Sequence, residues 1–150
     1  MDSVTPHRTL IVANRTAGTH LLLEEVERRA RERPTQFALL IPNVASGKRA
    51  DWTMEAAIPL LERAARGPVE GIVGGADPFE SVKQALDEGR YDDVLISTLP
   101  KRTSEWLRRD LPRKVQRLGV PVAVISQEEE RSAVREAAQR AGGVAGGGPM

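Results

Sequence analysis

The chain has 150 residues, a formal net charge of +1 and no cysteine. That length suits one domain with a real core, the near-neutral charge favours neither nucleic acid nor a membrane surface as a bulk partner, and the missing thiols exclude disulfides, thiolate zinc sites and thiol chemistry. No run approaches the ~20 apolar residues of a membrane span, and MDSVTPHRTL lacks the apolar stretch of a secretory signal, so a cytoplasmic location is expected.

The first expected strand is Thr9 to Ala13, an apolar run that stops at Asn14-Arg15-Thr16. A helix follows from Thr19 to Arg33, with Leu22, Leu23, Val26 and Ala30 on one face and Thr19 at the capping position. Phe37 to Ile41 is the second strand, stopped by Pro42-Asn43. Ala45-Ser46-Gly47-Lys48 lacks the upstream glycine and the following hydroxyl of a P-loop and reads as a surface loop. Asp51, as N-cap, opens a helix to Arg66 with Met54, Ala57, Ile58, Leu61 and Ala65 inward, and Pro59 within it predicts a kink or a late start. Val69 to Val73 is the third strand, ended by Gly74-Gly75. Asp77-Pro78 reads as an N-cap with proline in the first turn; Phe79, Val82 and Leu86 face inward and Gly89 ends that helix. Asp92-Asp93 are expected as solvated residues leading into the fourth strand, Val94 to Ile96. Leu107, Leu111, Val115 and Leu118 form the stripe of a basic helix, whose main part Pro112 opens after an Asp110 cap and Gly119 closes. Trp52 and Trp106 are expected as packing anchors. Val120 to Ile125 is the fifth strand. The expected organisation is an N-terminal tail at 1–7, a domain at 8–126, and a polar helix with a glycine-rich flexible tail at 127–150. Short apolar runs separated by helices imply right-handed crossovers and a three-layer α/β domain with an open parallel sheet.

Several phrases, taken in order, resemble the universal stress protein family. Gly75-Ala76-Asp77-Pro78, with Val82 and Ala85 following, is similar to that family's Gly-[Asp/Ser]-Pro segment before its third helix. Tyr91 to Ile96 resembles its fourth strand, and Val120-Pro121-Val122-Ala123-Val124-Ile125 its last. The resemblance implies five parallel strands in the order 3-2-1-4-5, with a ligand crevice at the switch point between the first and fourth. It also implies a homodimer through Val120 to Ile125. Nucleotide-binding members carry G-x2-G-x9-G-[ST] after the fourth strand, where glycines let backbone amides approach phosphates. This chain departs from that pattern. Ser97-Thr98 and a residue near Lys101 replace the first two glycines, Arg109-Asp110-Leu111 stands where Gly-Ser-Val would be, and Asn14 replaces the usual Asp. Side chains then occupy phosphate space, so the expected nucleotide site is degenerate or altered.

The candidate ligand residues lie around that crevice. Ala13, Asn14, Arg15 and Thr16 come from the end of the first strand, with Asn14 placed to read a base or ribose and Arg15 and Thr16 to meet a phosphate. Thr16 has helix capping as its structural alternative. Asn43 and Val44 follow the second strand. Ser97, Thr98, Lys101 and Arg102 follow the fourth and offer hydroxyl and cationic contacts to an anion, joined by Arg109 and Asp110. Basic residues dominate from Lys101 to Arg117, seven against two acidic, and beyond Arg109 the reading preferred is the solvated face of an amphipathic helix. There is no G-x-S-x-G elbow, and neither His7 nor His20 is spaced with another metal ligand, so no catalytic or metal-binding residue is assigned. The functional expectation is a stress-associated binding or regulatory module, with no certain cofactor and with ATP or another small anionic nucleotide as candidate ligand. The alternatives are a nucleotide-binding universal stress protein with slow hydrolysis at most, a small-molecule enzyme on a related fold, and an interaction protein with a filled crevice.

Overall fold

A computed structural model describes residues 5–14, 16–42, 47–98 and 105–126. In chain order the elements are β1 (His7–Val12), α1 (His20–Glu32), β2 (Thr35–Ile41), α2 (Gly47–Ala65), β3 (Val69–Val73), α3 (Pro78–Glu88), β4 (Asp93–Thr98), α4 (Glu105–Arg108), α5 (Leu111–Gln116) and β5 (Val122–Ser126). The five strands form one sheet in the order β3-β2-β1-β4-β5, and all four pairings are parallel.

Strand side chains alternate across the sheet, and each face has its own core. Ile11, Phe37, Leu39, Ile41 and Leu95 pack with Leu22 and Val26 of α1 and Ala57 and Leu61 of α2. Leu10, Val12, Ala38, Leu40, Val94 and Ile96 pack with Val82 and Ala85 of α3 and Leu111 and Val115 of α5. β1 and β4 are therefore sandwiched between helices, which is why their sequences read as unbroken apolar runs. Trp106 packs against the second core as an anchor; the side chain of Trp52 lies outside the described residues.

The helix boundaries correct several expectations. α2 begins at Gly47, so Asp51 lies inside the helix rather than capping it, and Gly47-Lys48 is helical rather than loop. The helix runs on through Pro59. Glu55 and Pro59 are both exposed, so the carbonyl that proline leaves without its amide faces water. Thr19 occupies the N-cap position of α1 without a side-chain cap bond; its hydroxyl donates instead to the carbonyl of Thr16 at 3.0 Å. The basic helix is divided by Asp110, which adopts the left-handed conformation at φ 59, and Leu118 falls outside the buried stripe, exposed. Asp77 caps α3 as expected, accepting from the amides of Phe79 and Glu80. Among the described residues, no helix is long and apolar enough to cross a membrane.

Candidate functional site

The strand order reverses between β1 and β4, and open α/β sheets place their ligand crevice beyond the carboxyl ends of the strands at such a point. Two hydroxyl residues meet there. Thr16 Oγ1 donates to the carbonyl of Ser97 at 3.0 Å, and Ser97 Oγ donates to Thr16 Oγ1 at 2.8 Å. Both are buried, and the pair locks the β1–α1 turn to the end of β4. Thr16 and Ser97, both expected at the crevice, are thus buried and bonded to each other. Ala13 is fully buried beside them. Asn14 donates from Nδ2 to the carbonyl of Pro42 at 3.3 Å, tying the end of β1 to the end of β2.

Thr98 differs from these neighbours. It is 2 % exposed, and its hydroxyl has no hydrogen-bond partner among the described residues. A buried polar group in that state marks a position where a water or ligand is wanted. Arg109 and Asp110 sit exposed in the turn between α4 and α5, where Asp110 pairs with Arg113 at 3.5 Å. Arg15, Asn43, Val44, Lys101 and Arg102 lie outside the described residues. These hydrogen bonds join Asn14, Thr16 and Ser97 into the framework of the switch point and, among the described residues, leave the Thr98 hydroxyl without a partner.

A second polar cluster, at the amino ends of the strands, overturns the expectation of two merely solvated aspartates. Asp93 is only 18 % exposed and accepts from Thr9 Oγ1 at 2.6 Å and from Arg29 Nη1 at 3.1 Å. His7 Nε2 lies 3.1 Å from the same carboxylate. Asp92 accepts from the amide of Arg8 at 2.8 Å. The clue in the sequence is positional: β1 and β4 are parallel neighbours, so polar residues just before their apolar runs share one end of the sheet. Beside this cluster, Arg8 lies over the Tyr91 ring at 4.8 Å, and burial, followed by the charge of Glu70, pushes the Tyr91 phenol up. No group of three metal-ligating side chains occurs among the described residues.

With this geometry, known folds can be compared. A universal stress protein whose crystal structure is in complex with cAMP aligns with a TM-score of 0.58 at 15 % identity, over 81 % of this chain and 98 % of that one. A universal stress protein from Archaeoglobus fulgidus aligns with a TM-score of 0.56 at 18 % identity, over 81 % and 93 %. The fold is that of the universal stress proteins. No family model and no curated protein matches the chain; at these identities the universal stress protein likeness is one of fold. It accounts for the position of the switch point, and the side chains at that point are this chain's own.

Proposed function

We propose that the protein is a stress-associated binding or regulatory module whose nucleotide site, at the β1/β4 switch point, is altered. The observation that carries this reading is the buried hydroxyl of Thr98 at the end of β4, which has no partner among the described residues. It stands where the universal stress protein pattern has glycine-supported phosphate contacts, and Ser97 beside it is held by Thr16. With Cβ atoms at both positions, less room is left for an extended triphosphate than a glycine nest allows. A nucleotide with one phosphate fits this arrangement better than ATP, and the universal stress protein in complex with cAMP supports that ligand class. The proposal includes a cytoplasmic homodimer paired through β5.

Thermal unfolding with millimolar cAMP, AMP and ATP tests it. A ligand present at about 100 times its Kd adds about 2.7 kcal/mol to stability. The expected result is an upward Tm shift with a monophosphate that Thr98→Val removes, and a smaller shift with ATP. A large ATP-specific shift overturns the altered-site reading. A second reading is favoured by the burial of Ala13, Thr16, Ala17 and Ser97, namely an interaction protein whose crevice is filled. It replaces the first if no nucleotide shifts the Tm.

A further inference from the structure

The sequence has no cysteine and three methionines, two of which are its first and last residues. Met54 is therefore the one sulfur inside the sheet and its helices. Its place is set by α2 and β3. Met54 begins the inward stripe of α2 that continues through Ala57, Ile58, Leu61 and Ala65, and it packs against the core on that face. Opposite it, β3 lacks a side chain. Val69, Gly71 and Val73 pair in register with Phe37, Leu39 and Ile41, whose side chains lie in the same core. A Cβ at Gly71 would lie 2.8 Å from Met54 Sδ, 3.2 Å from Cγ and 3.4 Å from Cε. The glycine leaves a seat, and the thioether occupies it, with the sulfur as the nearest atom.

That seat is at an edge of the sheet and is not sealed. β3 is an outer strand, Met54 is only partly buried, and Gly71 and Val73 are exposed. A small peroxide reaches the sulfur from this edge. We propose that Met54 is a peroxide-oxidation site whose sulfoxide loosens the first turns of α2 from β3. A sulfur lone pair attacks one peroxide oxygen, the O–O bond breaks as the S–O bond forms, and the other oxygen leaves as water. The sulfur is oxidised by two electrons and the peroxide is reduced by the same two. A methionine sulfoxide reductase drawing on a dithiol reverses the step, the sulfoxide oxygen leaving as water and the dithiol becoming a disulfide.

The consequence follows from where the oxygen is added. The thioether is apolar and flexible, and the sulfoxide is polar and pyramidal. Held in the seat, its oxygen is pressed against strand backbone or core side chains and loses its water. Swung out to solvent, it leaves the Gly71 seat empty. Either way the contact between the start of α2 and β3 is lost. The other half of α2 has fastenings of its own. Glu62 accepts from the amide of Val69 at 3.1 Å, and its carbonyl accepts from the amide of Gly67 at 3.2 Å, while Leu61 is fully buried. The loosening is thus confined to the turns before Leu61. It is independent of the nucleotide reading, because no residue of the β1/β4 switch point takes part.

The test is treatment of the full chain with millimolar hydrogen peroxide, followed by peptide mass spectrometry, thermal unfolding and hydrogen exchange. The expected result is one oxygen added at Met54, a Tm lower by on the order of 5 °C, and faster exchange in β3 and in α2 before Leu61. A methionine sulfoxide reductase with dithiothreitol should restore the Tm. Met54→Leu, a swap of similar volume, should keep the fold and make its Tm insensitive to peroxide while the terminal methionines are still oxidised. Gly71→Ala fills the seat and displaces the flexible thioether outward, so Met54 should oxidise faster and its oxidation should lower the Tm less. An oxidised Met54 with an unchanged Tm overturns the proposal, as does an equal fall in Met54→Leu. A Met54 left intact while Met1 and Met150 are converted also overturns it.

Discussion

Thr16, Ser97 and Thr98 are three buried hydroxyl residues within one turn of each other in space, yet they are expected to respond oppositely to mutation. Thr16→Val leaves the Ser97 hydroxyl a buried donor without its acceptor and should cost about 1–3 kcal/mol in urea unfolding. The double variant Thr16→Val, Ser97→Ala removes both partners and should recover part of that loss. Thr98→Val replaces an unpartnered hydroxyl with a methyl of similar shape and should leave stability unchanged or raise it slightly. A Thr98→Val loss as large as that of Thr16→Val would mean that Thr98 has a structural partner and is not the open position of the crevice. The sequence places all three at the switch point, because apolar run lengths locate strand ends. Which hydroxyls bond one another depends on a contact between residues 81 positions apart, and no local pattern records that.

The elements divide by how local their causes are. α3 was fully legible: Asp77 caps it, Pro78 suits its first turn, and Gly89 ends it. Asp77→Ala should cost about 1 kcal/mol by removing acceptors for the Phe79 and Glu80 amides; a calorimetric Tm equal to wild type would show the cap to be inert. α2 begins four residues before Asp51, the local cap signal, so its start is set by more than that residue, and the helix continues past Pro59. The Asp92-Asp93 pair was misread because its partners, His7 and Arg29, come from β1 and α1. α1 adds a pH effect of its own. The Arg28 hydrogen bond, opposed by burial and reinforced by Arg29, holds the Glu25 carboxyl below the usual glutamate range. A carboxylate depressed in this way contributes stability above its unfolded pKa and loses it as pH falls through the folded value. Glu25→Gln should therefore flatten the decline in urea midpoint between about pH 5 and pH 3, and an unaltered acid limb would sink that assignment.

For the whole molecule, the five-strand order leaves β3 and β5 as edges, and the two are not equivalent. β3 carries Glu70 and Gly71, a charge and a gap that discourage pairing, whereas β5 presents Val122, Ala123, Val124 and Ile125 without a charge. Val124 is 37 % exposed. The isologous dimer proposed through β5 would close that edge by symmetry. Sedimentation at about 50 μM, a concentration at which pairing of micromolar strength is visible, should show a dimer in the wild type and a monomer for Val124→Lys. A monomeric wild type, or a Val124→Lys dimer, would place the interface elsewhere. The same strand order has a consequence during synthesis. β1 is completed on one side by β2, a short step along the chain, but on the other by β4, with Thr9 and Asp93 separated by 84 positions. At ribosomal rates of about 5–20 residues per second, the nascent chain carries an open edge on its central strand for roughly four to seventeen seconds. Slow codons or a pause before β4 emerges would prolong that exposure, so the yield of folded protein should be more sensitive to pauses between β3 and β4 than to pauses after β5.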